Sequence, residues 1–256
     1  MTHGITRLAI QVFAGRFGSG KSEVSLNYAL ALARGNAPGV EGDGFSPASG
    51  RTHLPPDGGT ARPQDEKVRV VLVDLDIVTP YFRSRELAAR MQEQGVEVIA
   101  PAAVSRHLDS PSITPQILGA IEQMNQAVVL DVGGDPQGAR ALGQFSPAIL
   151  RRGYTMHFVV NPYRPFTSTL EGLSRSIGEV EHTSRLRVTS LVSNPNLMDE
   201  TTAEEILEGH EHIEEFARRL RLPIAFVCIE QGWVGRLNLA SFRQPILTLA
   251  RHFVQA

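Results

Sequence analysis

The sequence predicts an α/β protein, a doubly wound and mostly parallel sheet of about seven strands with helices on both faces. Three observations carry that prediction. Short β-branched apolar runs alternate with segments of helical period along the 256 residues. The runs are continuously apolar, so both faces of each strand are buried, as in a parallel sheet covered by helices. Hydrophobic residues make up 42 % of the chain, ample for one large core.

In chain order, the strand "LAIQVF" precedes the helix "SEVSLNYALALAR", "VRVVLVDLD" precedes "RSRELAARMQEQ", and "VEVIAP" precedes "TPQILGAIEQMN". The runs "AVVLDV", "MHFVVN", "VTSLVSN" and "IAFVCIE" supply the remaining strands. The tail "PILTLARHFVQA" places Ile246, Ala250, Phe253 and Val254 on one helical face and reads as a last helix packed on the sheet; its low basic content argues against a membrane-holding role. Only residues 35–66 break the rhythm. They are rich in glycine, proline and polar residues, with Val40, Phe45 and Leu54 as isolated larger apolar side chains, and read as a disordered insertion in one domain spanning 1–256.

A formal charge of -2 and a pI near 6.5 give no basic footprint for nucleic acid. The single cysteine, Cys228, excludes an internal disulfide and reads as a small buried hydrophobe. No stretch has the length of a bilayer span or the form of a signal peptide, so the cytoplasm is the expected address.

"GRFGSGKS", Gly15 to Ser22, has the spacing G-x-x-x-x-G-K-S between a predicted strand and a predicted helix. Glycines at Gly15, Gly18 and Gly20 let backbone N–H groups converge on phosphate oxygens, with Arg16, Phe17 and Ser19 completing the loop. The helix beginning near Lys21 aims its positive end at the same anion. Lys21 reaches the β and γ phosphates, and the Ser22 hydroxyl is a ligand for Mg²⁺. Lysine occurs elsewhere only at Lys67, which makes the placement of Lys21 informative.

Downstream carboxylates fit the same site. Asp74 and Asp76 end a strand where open α/β sheets bind ligands, and their i, i+2 spacing turns both toward a metal ion or a water; either one could instead cap the following turn. Asp131 ends "AVVLDV" and suits the Mg²⁺ shell, while Gly133 and Gly134 could bring a backbone N–H to the γ-phosphate or form an ordinary turn. Asp135 is a weaker candidate.

The order of "GRFGSGKS", "DLDIV", "LDVGGD" and "LVSN" resembles the deviant Walker A group of P-loop ATPases, the ParA/MinD/CobQ-like proteins of the SIMIBI class. More narrowly, "DLDIVTPYFRSRE" and "NPNLMDETT" look like a bacterial ATP-binding branch of it. The resemblance implies that Arg16 stands where that group carries a signature lysine, from which it could supply charge to the γ-phosphate in the manner of an arginine finger, and Phe17 where it carries glycine. It further implies that Asp76 orients the attacking water with Asp74 near the metal, that Asp131 meets Mg²⁺ through water, that Asn194 reads the purine edge, and that Glu230 and Gln231 lie by the base.

Other features stay minor. His210 and His212, at i, i+2, do not share a helical face and read as solvated helix surface rather than a metal site. Arg83 and Arg85 suit a salt-bridged helix start or a substrate contact, and Asn161 and Arg164 end another strand on the ligand side. Together with the resemblance, these residues imply a slow Mg²⁺-dependent ATPase that acts as a nucleotide-driven switch on a protein partner, with a nucleotide-dependent homodimer as one form. Two alternatives stand beside it: phosphoryl-transfer or ligase-type chemistry on a small metabolite, and a non-hydrolysing ATP-binding scaffold.

Overall fold

Strand β1 (Ile10–Gly15), buried along its whole length, runs into the glycine-rich loop and then α1 (Lys21–Arg34). The computed structural model describes residues 9–38, 68–76, 85–100 and 113–253. Through these the order continues with β2 (Arg69–Leu75), α2 (Arg85–Glu93), β3 (Val96–Ile99), α3 (Ile113–Glu122), β4 (Gln126–Val132), α4 (Pro136–Arg152) and β5 (Tyr154–Val160). It ends with α5 (Leu170–Ser184), β6 (Ser190–Ser193), α6 (Ala203–Leu220), β7 (Ile224–Glu230), the short α7 (Gln231–Val234) and β8 (Ile246–Leu249).

All eight strands form one parallel sheet in the order β3-β2-β4-β1-β5-β6-β7-β8. The connection from β1 runs toward the β3 edge and that from its neighbour β4 toward the β8 edge, so the crevice at the C-terminal ends of these two strands is a topological switch point. The loop from Gly15 opens there. One face of the sheet packs Phe13, Val70 and Leu72 against Leu26 and Tyr28 of α1 and Met91 of α2. The other packs Val12, Val73 and Leu130 against Ile121, Phe145, Ile177 and Ile213 of α3 to α6. Each large side chain so buried contributes about 1.5–3 kcal/mol.

Local chemistry sets the helix starts. Asp135 caps α4 by accepting from the N–H groups of Gln137 and Gly138, with Pro136 next in sequence, so its carboxylate is used structurally. Thr202 and Glu205 form a reciprocal capping box that opens α6.

Two expectations need correction. The sheet has eight strands because Ile246–Leu249, read from sequence as the start of a final helix, is an edge strand on β7. Four apolar-rich residues satisfy either period, and the open edge of β7 supplies backbone partners only an extended chain can use. Leu247 and Leu249 therefore face α1 while Ile246 packs on the other side. Ala250 to Phe253 continue without a helix. Asn27 bonds both the N–H and the carbonyl of Ala250, and the Glu23 carboxylate accepts from the N–H groups of His252 and Phe253. Val254, residues 39–66 of the expected insertion, and Arg83 lie outside the described residues. Among the described residues no helix is long and apolar enough to cross a membrane.

Candidate functional site

The loop between β1 and α1 is held from three sides. Gly20 has φ of 82°, a conformation that residues with a Cβ rarely adopt, and a Cβ there would lie 2.4 Å from the Asn194 amide nitrogen. That amide donates to the carbonyl of Ser19 at 2.7 Å. From a second side, Gly134 comes so close that a Cβ on it would be 2.7 Å from the Phe17 nitrogen. The segment after β4 thus rests directly on the Arg16–Phe17 peptide. On the third side, the Arg164 Nε donates to the carbonyl of Gly18 at 3.1 Å. No side chain caps the N-terminus of α1, which leaves its first-turn N–H groups for an anion in the loop.

Charged groups from β2, β4 and the start of α1 converge beneath the loop. Asp74 and Asp131 are paired across β2 and β4, both without solvent exposure. Asp74 Oδ1 accepts from the Asp76 N–H at 2.8 Å, the turn-capping alternative realised for this residue. The Lys21 ammonium donates to Asp76 Oδ2 at 3.3 Å, and both side chains are buried. Gly133 sits against Asp76, a Cβ on it being 3.4 Å from Oδ1.

Asp131 differs from its neighbours. Burial pushes its carboxyl up to about 6, against the pull of the Lys21 ammonium and the Ser22 hydroxyl, while the Asp76 charge adds to the rise. Both of its oxygens, and the Ser22 and Ser19 hydroxyls, are buried outside hydrogen-bonding geometry with any partner. Buried polar atoms are ordinarily paired, so a carboxylate and a hydroxyl left in this state beside a lysine suit a cation and its anionic ligand. Among the described residues no three ligand side chains gather as a self-sufficient metal site. Mg²⁺ does not need one, because it takes most of its shell from water and phosphate.

The expected site residues Gly15 to Ser22, Asp74, Asp76, Asp131, Gly133, Gly134 and Asn194 thus come together at the end of β1. Arg16 turns away: its Nη1 donates to Glu179 of α5 at 2.9 Å, and its Cζ stands 4.5 Å from the centre of the Phe166 ring. Phe17 is 68 % exposed. Glu230 ends β7, and its carboxylate accepts from Arg251, which also pairs with Asp199; Gln231 opens α7. Neither Glu179 nor Phe166 was legible in advance, since nothing near them in sequence marks them.

An open groove of about 820 Å³ lies elsewhere, between α6 and the segment joining β7 to β8. His210 lines it, and here the expectation of a solvated residue is corrected. His210 is buried, 3.0 Å from Ser193 Oγ and 3.1 Å from Gln244 Oε1, because α6 turns this position onto β6; burial pushes its pKa down. His212 is exposed, as expected.

No protein-family model matches the chain, and no curated protein matches its sequence. Solved structures do resemble it. Cell division protein FtsY from Thermotoga maritima superposes with a TM-score of 0.53 at 14 % identity, covering 89 % of this chain and 65 % of that one. The signal recognition particle receptor FtsY from Elizabethkingia anophelis, in complex with GDP, gives 0.51 at 13 % identity, covering 90 % and 60 %. The signal recognition particle 54 kDa protein from Aeropyrum pernix K1, also with GDP, gives 0.50 at 14 % identity, covering 87 % and 41 %. The fold is the α/β P-loop NTPase fold that these structures share. The chain spans less than two thirds of each of these proteins.

Proposed function

We propose that the chain binds a purine nucleoside triphosphate with Mg²⁺ at the loop 15–22, hydrolyses it slowly, and uses the two states to act on a protein partner. The observation that carries this reading is the buried Lys21–Asp76 pair beside the buried Ser22 hydroxyl and Asp131 carboxylate, whose oxygens fall outside hydrogen-bonding geometry, all under a glycine cradle. Lys21 exchanges Asp76 for the phosphates, which frees the Asp76 carboxylate to orient a water. Loop N–H groups and the α1 N-terminus spread the phosphate charge. Ser22 and Asp131 would hold Mg²⁺, directly or through water, and the ion supplies charge neutralisation at the phosphates.

Gly133 and Gly134 supply the switch. They join the carboxylate end of β4 to the loop backbone, so a change at Asp131 is felt at Arg16 and Phe17. The partner is then a protein that reads this rim, a second copy of the chain included. Asn194, Glu230 and Gln231 stand at the ends of β6 and β7 and are proposed to face the base. ATP follows from the sequence resemblance; GTP stands beside it because two of the similar structures hold GDP.

Titration with fluorescent ATP and GTP analogues tests the reading and ranks the bases. Lys21→Ala is expected to abolish binding, and Asp76→Ala to retain binding with lower phosphate release. Equal affinity in the Lys21 variant would refute the proposal. Unchanged phosphate release in an Asp76 and Asp131 double variant would leave a binding scaffold as the function.

A further inference from the structure

We infer that Arg164, and not Arg16, supplies the second cation of the phosphate site, its guanidinium contacting the terminal phosphate of a bound nucleoside triphosphate. The inference rests on the nucleotide-binding reading above and assigns within it a residue that the loop motif does not contain.

Arg164 follows β5, the immediate neighbour of β1, with Val159 in register with Gly15. Its turn is built to hold one shape. The Arg164 N–H donates to the Asn161 carbonyl at 3.2 Å, the Thr167 N–H donates to the Arg164 carbonyl at 2.9 Å, and the Thr167 hydroxyl donates to the Asn161 carbonyl at 2.6 Å. Asn161 is itself anchored, donating to the Asn196 carbonyl and accepting from the Tyr163 N–H. Asn161 and Thr167 have no solvent exposure. The backbone that carries Arg164 is therefore ordered before any ligand arrives, which lowers the entropic cost of a contact made by its side chain.

The guanidinium lies on the loop itself. Besides the bond from Nε to the Gly18 carbonyl, a Cβ on Gly18 would stand 3.2 Å from Nε and 3.6 Å from Cζ. A Cβ there would crowd the Arg164 side chain, and the φ of 78° at Gly18 independently favours glycine. With Nε used, the Nη groups donate to no acceptor among the described residues. A planar fork with donors left over, fixed at the rim of a phosphate-binding loop, is suited to bidentate contact with phosphate oxygens.

Arg16 is placed for a different task. Its guanidinium is engaged by the Glu179 carboxylate and covers the Phe166 ring, and it must surrender both to reach a phosphate. Arg164 surrenders nothing. The positively charged residue nearest the start of the motif thus ties the loop to α5, while the cation available to the ligand arrives from a distant turn.

The test compares non-hydrolysable triphosphate analogues with diphosphates, of both adenosine and guanosine, by fluorescence titration of the full chain. Arg164→Ala is expected to weaken triphosphate binding by about 10- to 100-fold and diphosphate binding by less than about threefold, since only the terminal phosphate loses its contact. Arg164→Lys should recover part of the difference, and any loss in Arg16→Ala should fall equally on triphosphate and diphosphate, because the Arg16 side chain ties the loop to α5. A parallel fall in tri- and diphosphate affinity for Arg164→Ala would make Arg164 a prop for the loop and overturn the inference. So would a triphosphate-selective loss in Arg16→Ala. Should Arg164→Ala fail to melt cooperatively, Arg164→Gln carries the same comparison. Failure of the underlying reading has its own signature: wild type binding no nucleotide, or Lys21→Ala binding as well as wild type, would overturn both.

Discussion

The loop at the end of β1 and the groove beside α6 are both rich in polar side chains, yet they treat burial in opposite ways. In the groove, His210 is buried with a partner on each ring nitrogen, and Arg218 and Arg221 stand exposed at the rim. Under the loop, Asp131 and Ser22 are buried with their oxygens unmatched. The groove is roomy, about 820 Å³, but the buried histidine that lines it has its partners, whereas the buried oxygens under the loop suit a cation and an anion. An unmet need for partners locates function better than volume does.

The largest effect should come from filling the loop. Gly20→Ala forces a side chain into φ of 82° and onto the Asn194 amide, and is expected to cost roughly 3 kcal/mol of stability together with nucleotide binding. Denaturant unfolding and the same titration would show it. If the variant binds normally, the loop is not held in its binding shape by this contact.

Next in size is Asp131→Asn. Because the carboxyl titrates from 3.8 up to about 6 in the fold, the folded state holds its proton more tightly than the unfolded chain does. The unliganded protein is therefore favoured below pH 4 and loses that stability as pH rises to about 6, roughly 2–3 kcal/mol in all. Asp131→Asn should accordingly raise stability at pH 8 by up to about 2 kcal/mol while lowering Mg²⁺-dependent nucleotide affinity. A loss of stability at pH 8 would show that Asp131 is a satisfied structural residue, like His210.

His157 gives a satisfied counterpart within the core. It lies between the Gln11 amide and the Ser190 hydroxyl against Phe13, and burial lowers its pKa to about 3. The unfolded chain takes up that proton near pH 6.5 and the fold does not, so this contribution is present above pH 6.5 and is lost as pH falls toward 3. Between pH 5.5 and 4 wild type should lose about 1.2–1.4 kcal/mol per pH unit relative to His157→Gln, measured by denaturant unfolding. A flat difference would mean that the ring is charged in the fold.

The smallest effect belongs to the groove. Arg218→Ala and Arg221→Ala should each change stability by no more than about 0.5 kcal/mol and leave nucleotide affinity unaltered. A change in affinity would join the two regions that the contrast in satisfaction separates.

Much of this was legible from local pattern. Continuous apolar runs such as "VRVVLVDLD" have no reading other than a strand buried on both faces, and "GRFGSGKS" between strand and helix specifies a phosphate loop because each glycine answers a backbone need within a few residues. The tail was misread because "ILTL" is too short to distinguish the two periods, and the free edge of β7 decided it. His210 was misread because helical periodicity shows which residues share a face but not that β6 lies against that one.

The sequence by itself determined the order of strands and helices up to β7, the loop, and the carboxylates at strand ends, since these depend on period, backbone freedom and chain direction. Only the tertiary structure decided which partner each polar group took. Arg16 found Glu179 across 163 positions, Asn194 found Ser19 across 175, and Arg164 found Gly18 across 146. A hydrogen bond is a matter of a few ångströms, and only the packed sheet brings residues so distant in the chain within that range.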